Sequence, residues 1–333
     1  MIKSIYVNNG ICQQEESIEN INKIYSNNPS LLWVDITLEK GDLSTDEIAL
    51  LTDTFKFHEL SVEDCLFPLY NPKVEEFDNY LFVNTHGIRL KTMNLAEFDE
   101  SMYELDIFLS TNLIVTAHTE ELEFLDGLMH KAMLKPQIEL KSMETLLYKI
   151  LSKVVDNLEH TMEKISDKID LLEDKVLEDP HPDDMEQILD LKKVLLSMRK
   201  IADPQRNVYS FFARENNEYI RESYSAYFRD ITDQLNSLNK TINYNSQMIS
   251  SLIAIYMSSV TLKLNETMKF LSIIATIFLP ILIFASYYGM NVAFPEIKIL
   301  GETGTWFFAI FLILASTCGI ILYMKRKNGF KKY

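Results

Sequence analysis

The stretch FLSIIATIFLPILIFASYYGMN, residues 270–291, decides how the rest of this chain is organised. Residues 270–288 carry no charge over 19 positions, about the length of helix that crosses a hydrocarbon core. A second uncharged run, WFFAIFLILASTCGIILYM at 306–324, follows a short loop. Spanning length on both sides of that loop reads as two transmembrane helices rather than the buried hairpin of a soluble protein. The tail KRKNGFKKY holds Lys325, Arg326, Lys327, Lys331 and Lys332, whereas the inter-span segment holds only Lys298 beside Glu296 and Glu302. Basic flanks stay on the cytoplasmic side. Both termini, and with them everything before the first span, are therefore expected in the cytoplasm of a cell (inner or plasma) membrane, with loop 289–305 outside.

Working outward, the 333 residues carry 32 Lys and Arg against 48 Asp and Glu, a net charge of −16 that argues against nucleic acid as a partner. A hydrophobic share of 47% with 24% charged residues is enough for a true core. Cys12, Cys65 and Cys318 lie too far apart in sequence for a disulfide scaffold or a CxxC zinc module. The start, Met1-Ile2-Lys3-Ser4, has no basic flank leading into an apolar stretch, so no cleaved leader is expected.

Residues 1–135 mix short β-like runs (31–36, 80–84, 105–109, 112–117) with helical stretches near 45–55 and 62–67, which predicts a cytosolic α/β domain. No glycine occurs between Gly127 and Gly289, so the following stretch favours long helices. From Ser142 to Glu178 the apolar positions Leu147, Leu151, Val154, Leu158, Met162, Ile165, Ile169, Leu172 and Val176 repeat at coiled-coil spacing. The turn Asp179-Pro180-His181-Pro182 ends that helix, and Ile188, Leu191, Leu195 and Met198 mark a returning one, giving a helical hairpin over 136–216. His181, alone in a Pro-rich turn, reads as solvated rather than as a metal ligand. The 75 residues between Pro204 and Pro280 contain neither Gly nor Pro. One helix over 217–288 would be roughly 100 Å long at 1.5 Å per residue, a stalk continuous with the first span. Its stripe of Tyr227, Ile231, Leu235, Leu238, Ile242, Ile249, Leu252 and Tyr256 is free to pack against the rest of the cytosolic body. The fold class is thus a mostly α membrane protein of α+β type, with loop 289–305 followed by the second span and basic tail at 306–333.

Two helices cannot enclose a water-filled path, so conduction requires a ring of copies. In a ring every inward side chain becomes a set of identical groups around an axis. The first span ends in Tyr288-Gly289-Met290-Asn291, where glycine closes the helix and leaves backbone carbonyls and the Asn291 amide to face that axis. Neutral oxygens of this kind suit the water shell of Mg2+, which dehydrates reluctantly.

At these residues the chain resembles the CorA magnesium transporters, the two-transmembrane Gly-Met-Asn family. The resemblance covers YGMN, the preceding NETMKFLSIIATIFLP (265–280), YMSSV (256–260), SVEDCLFPLYNPKVEEFDNYLFV (61–83) and the basic tail. It implies a homopentamer whose first span lines a pore, with Mg2+ as cargo and as intracellular regulator, and Co2+ and Ni2+ as further cargo. It implies Gly289, Met290 and Asn291 as the selectivity filter and Asn265, Met268, Leu271, Leu279, Leu282 and Ser286 as pore-lining. With Ala275 included, these positions are spaced as one helical face. Met268, Leu271 and Leu279 would form apolar collars that block ions by dewetting, and Asn265 a polar ring. Leu282, where the family often has a hydroxyl, and Ser286, in place of a smaller residue, are departures that bear on selectivity and rate.

The resemblance also implies a regulatory site in which a divalent ion bridges carboxylates of neighbouring cytosolic domains. Asp230 matches the family's stalk acid, and Asp233 lies one turn on. The matching N-terminal acid is not evident: Arg89 and Lys91 stand near its place, and Glu97, Asp99 and Glu100 are alternative ligands. A ring of Glu296 at the outer mouth would concentrate cations.

An enzyme has no foothold, since the six histidines never fall at i,i+4 spacing and neither a P-loop, a Rossmann glycine motif nor Gly-x-Ser-x-Gly occurs. No catalytic cofactor is expected. Two alternatives stay open: the zinc-transporting branch of the same superfamily, and a membrane-tethered coiled-coil scaffold. With no ATP-binding motif, influx driven by the membrane potential is expected.

Overall fold

In the computed structural model the chain forms two compact units, Met1–Ala254 and Ile255–Tyr333. The structure describes residues 2–8, 11–38, 44–67, 71–89, 98–214, 217, 219–290 and 297–326.

The first unit opens with β1 (Ile2–Asn8), β2 (Ile11–Glu15), α1 (Ile18–Ser26) and β3 (Leu31–Thr37). A short α2 (Thr45–Ala49) follows, started by a Ser44–Glu47 capping box and continued by a π turn at Leu50–Thr54. Then come α3 (Glu59–Leu66), β4 (Lys73–Phe77), β5 (Tyr80–Ile88), β6 (Met102–Leu109) and β7 (Leu113–His118). The seven strands form one sheet in the order β2-β1-β3-β7-β6-β5-β4. Only β3 and β7 run parallel; the other neighbours are antiparallel. The stretches read as strands from their apolar runs are β3, β5, β6 and β7, all inside the sheet. The inner strand β1, the edge strands β2 and β4 and the helix α1 are not read from the sequence; β2 and β4 (ICQQE, KVEEF) bury no residue fully and show no apolar run, and β1 interrupts its apolar residues with Lys3 and Ser4.

One face of the sheet packs Leu32, Val34, Ile36, Phe82, Phe108 and Val115 under α1, α2 and α3, with Phe55 and Phe57 among them. Phe57 stacks on Phe108 with ring centroids 4.3 Å apart. The other face is covered by helices that follow β7. These are α4 (Glu123–Leu134), α6 (Met143–Glu178) and α7 (Pro182–Phe212), while the one-turn α5 (Pro136–Glu139) packs on α4 and buries no residue.

In α6 every apolar position of the repeat read from the sequence is buried, but Leu146, Ile150 and Val155 are buried as well. The sheet accounts for the second buried flank: α6 packs on β5 and β7 in its first half, and only a single stripe remains covered beyond Met162. The α/β layer and these helices lie within the compact unit Met1–Ala254. In α7, Tyr209 shares a 2.9 Å hydroxyl–hydroxyl bond with Thr85 of β5, and the backbone N–H of His86 donates to Gln205 Oε1 at 3.1 Å. Pro204 lies inside α7 without ending it. His181 caps α7 by exchanging bonds with Asp184, whose buried carboxylate also pairs with Lys175 at 2.6 Å.

The helix α8 (Glu222–Tyr288) is 67 residues long. Asn239 donates to the Ala202 carbonyl and Asn245 to Ser166 Oγ, fixing the phase of α8 against α7 and α6. Of the packing stripe, Ile231, Leu235, Leu238, Ile242, Ile249 and Leu252 are buried, but Tyr227 is 52% exposed and Phe228 takes the interior place. Tyr227 instead meets Tyr148 edge-on, 5.3 Å between centroids, with its hydroxyl end left to water.

In the second unit the rest of α8 is followed by α9 (Ile297–Arg326), broken at Gly301, whose φ of 67° only glycine adopts without strain. The part of α9 long and apolar enough to span a membrane is Thr303–Tyr323, and the C-terminal part of α8 qualifies likewise.

Candidate permeation path and regulatory carboxylates

Considered alone, the membrane segment of α8 has two unlike faces. Ile273, Ile277, Pro280, Ile281, Phe284 and Tyr288 are partly covered within the chain. The positions Asn265, Met268, Leu271, Ala275, Leu279, Leu282 and Ser286 are all exposed. The two sets are offset by two residues, about 200° around a helix at 3.6 residues per turn. Met268, Leu271, Leu279 and Leu282 are 57–62% exposed, as are Phe270, Phe278 and Ile283 beside them at 55–65%, a broad apolar surface that a single chain leaves for a neighbour, an axis or lipid.

Hydroxyls on this segment satisfy themselves. Thr267, Ser272 and Thr276 each donate to the carbonyl four residues earlier, at 3.0, 2.8 and 2.7 Å. Each hydroxyl is thus tied to its own helix and costs little where no water is near.

The helix closes at Gly289, whose N–H donates to the Ala285 carbonyl at 2.9 Å, while Met290 N–H reaches Tyr287 O at 3.3 Å. A Cβ at 289 would lie 2.9 Å from the Ala285 carbonyl oxygen, so this turn has room for glycine alone. Met290 is 56% exposed. Asn291 and Glu296 lie outside the described residues, as do Lys91, Glu97 and the tail beyond Arg326.

Asp230 and Asp233 are both exposed on α8, three residues apart on one side, and Asp230 accepts a 3.2 Å bond from Gln234. The structure brings acids of α6 to Asp230 that the sequence did not single out. Burial, then the charges of Asp156, Glu163 and Asp230, push the Glu159 carboxyl up from its ordinary value. Burial and the Asp230 charge likewise raise the Tyr148 phenol. The signal in the sequence was the acidic run Asp156, Glu159, Glu163, indistinguishable there from a solvated helix face.

The other candidates are occupied elsewhere. The Arg89 guanidinium binds the Glu120 carboxylate and the Glu100 carbonyl, and Asp99 accepts a 2.7 Å bond from Ser197 of α7. Among the described residues no three His, Cys, Asp or Glu side chains of one chain stand close enough to hold a metal.

An α/β unit with a long helix that ends in an exposed, uncovered membrane stripe, followed by a second span, defines a membrane transporter rather than an enzyme. The family model of the CorA-like Mg2+ transporter protein matches residues 28–326, and the chain belongs to that family of divalent cation transporters. The cobalt/magnesium transport protein CorA of Thermotoga maritima is 31% identical over 305 residues, covering 89% of this chain and 82% of that protein. The putative metal ion transporter YfjQ of Bacillus subtilis is 30% identical, covering 90% and 89%. The zinc transport protein ZntB of Yersinia enterocolitica is 24% identical over 77% and 76%. Among solved structures, the complete CorA magnesium transporter of Methanocaldococcus jannaschii superposes with a TM-score of 0.79 at 20% identity, covering 98% of both chains.

Proposed function

We propose that this protein forms a homopentameric channel in a cell membrane, with both termini cytoplasmic, and that it admits Mg2+, with Co2+ and Ni2+ as further cargo. The observation that carries the reading is the uncovered stripe from Asn265 to Ser286, which ends at the glycine-only turn of residue 289. A ring of copies turned inward makes that stripe a conduit, with apolar collars at Met268, Leu271 and Leu279 that dewet when narrow. Gly289, Met290 and Asn291 cap it as the filter, where amide and carbonyl oxygens receive a hydrated ion. A ring of Glu296 gathers cations at the mouth.

Entry is driven by the membrane potential. Two charges crossing an inside-negative potential gain 2 × 2.3, about 4.6 kcal/mol per 100 mV. Closure follows from intracellular Mg2+ at Asp230 and Asp233, joined by Asp156 and Glu159. Carboxylates that repel one another across a subunit border are held together by a divalent ion and separate when it leaves. The likeness to ZntB supports zinc as a second cargo reading, with the same path and filter.

The test is uptake into vesicles reconstituted with the full chain and loaded with a Mg2+-sensitive dye. Uptake should rise with an inside-negative potential and fall at least tenfold in Asn291→Ala. Uptake indifferent to collapse of the potential, or an Asn291→Ala protein as fast as the parent, would overturn the reading.

A further inference from the structure

Between Asp233 and Glu266 the helix α8 carries no acidic residue, although the chain as a whole holds 48 Asp and Glu against 32 Lys and Arg. The charges in that stretch are Lys240 and Lys263. The stalk packs through one stripe, in which Leu235, Leu238, Ile242, Ile249 and Leu252 are buried. On the opposite side Ser237, Lys240, Tyr244, Gln247 and Ser251 are all exposed and recur every three or four residues. Lys240 stands two residues from both Leu238 and Ile242, about 200° around the helix from either, so it projects away from the packed stripe.

Its own helix offers this lysine no counter-charge. The residues three and four positions away, Asn236, Ser237, Asn243 and Tyr244, have no carboxylate with which an exposed lysine could pair. The nearest acid along the helix, Asp233, is about 10 Å away at 1.5 Å per residue, beyond the Debye length of about 8 Å at physiological ionic strength. The hydroxyl and amide groups of Ser237, Gln247 and Ser251 are neutral and do not offset the charge.

We propose that Lys240 sets the rate of transport, its ammonium groups forming a cation-repelling ring around the axis on the stalk side of the path. The inference rests on the channel reading above, in which α8 lines the axis and the face opposite its packed stripe turns towards the conduit. A positive ring lowers the local concentration of cations, and a divalent ion feels it twice as strongly as a monovalent one. About 38 Å of helix separates Lys240 from Asn265, several Debye lengths, so the ring acts on ions in the stalk and leaves the filter chemistry untouched. It acts as a field through solvent and slows transport without sealing the path.

The test is dye-reported Mg2+ uptake into vesicles holding the full chain, at one fixed inside-negative potential and at two ionic strengths set with choline chloride on both sides. The Debye length falls from about 30 Å near 0.01 M to about 3 Å near 1 M, so a field effect is present in the first medium and screened in the second. At low salt Lys240→Gln should be at least twofold faster than the parent and Lys240→Glu faster still, while Lys240→Arg keeps the parent rate. At high salt all four proteins should coincide. Asn291→Ala is measured beside them. A parent that is no faster than Asn291→Ala overturns the channel reading and the Lys240 proposal together. A parent that Asn291→Ala slows, but that Lys240→Gln and Lys240→Glu only match at low salt, overturns the Lys240 proposal alone. So does a gain that persists undiminished at high salt, which would come from side-chain size rather than charge.

Discussion

Removing the guanidinium of Arg221 should loosen the foot of α8, and the part of the cost that comes from pairing with Glu144 should fade in acid. Arg221 donates to both oxygens of Glu144, Nε–Oε1 at 2.6 Å and Nη2–Oε2 at 2.9 Å, tying the residue before α8 to the first turn of α6. Burial alone would raise the Glu144 carboxyl, but the Arg221 fork, the local backbone N–H and Ser142 outweigh it and hold the group at about 2. Against an ordinary value near 4.5, that is about 2.5 units, an upper bound of about 3.4 kcal/mol at 1.36 kcal/mol per unit. The Arg221 side chain is 63% exposed, so solvent screens its half of the pair, and about 1–2 kcal/mol is the expected loss. The folded-state value is depressed, so the contribution is complete above the unfolded-state value. It drains away as pH falls from about 4.5 towards 2. Arg221→Met, which keeps an apolar stem but removes the guanidinium from over the Tyr224 ring, should therefore lower the midpoint of thermal unfolding by about 2–8 °C at pH 7. The gap from the parent should narrow steadily below pH 4.5. Unfolding followed by fluorescence of the fully buried Trp33, with Trp306 replaced by Phe in both proteins, reads this directly. A gap of the same size at pH 3.5 as at pH 7 would refute the electrostatic account and leave packing as the cause.

Three further outcomes follow from the same structure. Leu279→Asn, which puts an amide into a proposed collar, should raise Mg2+ leak into vesicles several-fold when internal Mg2+ is high, and an unchanged leak would remove Leu279 from the path. Asp230→Asn combined with Glu159→Gln should weaken the Mg2+-dependent rise in the protease resistance of the full-length protein at least tenfold in Mg2+ concentration, since two of the four like charges that the ion offsets are gone; a dependence unchanged from the parent places the regulatory ion elsewhere. Leu151→Ala, at a fully buried position of α6, should cost about 2–5 kcal/mol in denaturant unfolding. A much smaller cost would mean that α6 is not held where the structure has it.

Periodicity and hydropathy by themselves fix the membrane-spanning and long helical parts of this chain. An uncharged run of spanning length has few alternatives in water or lipid, so the two spans and the long helix leading into the first could be read directly from residues 217–324. The heptad-like face of α6 was legible for the same reason: a helix buries whichever side its apolar residues share, whatever covers it. The stripe that leads to the Gly289 turn comes from the resemblance to the CorA family, and its spacing as one helical face agrees with it.

What covers each face was decided only by folding. The edge strands β2 and β4 and the inner strand β1 are strands because neighbours supply their hydrogen bonds, and their half-polar sequences do not announce that. Whether Tyr227 or Phe228 points inward depends on the phase that Asn239 and Asn245 impose on α8 through partners 37 and 79 residues away. The proximity of Asp156 and Glu159 to Asp230 joins positions distant in the chain. Local pattern determines which residues seek burial or charge compensation; only the packed backbone determines which of them meet.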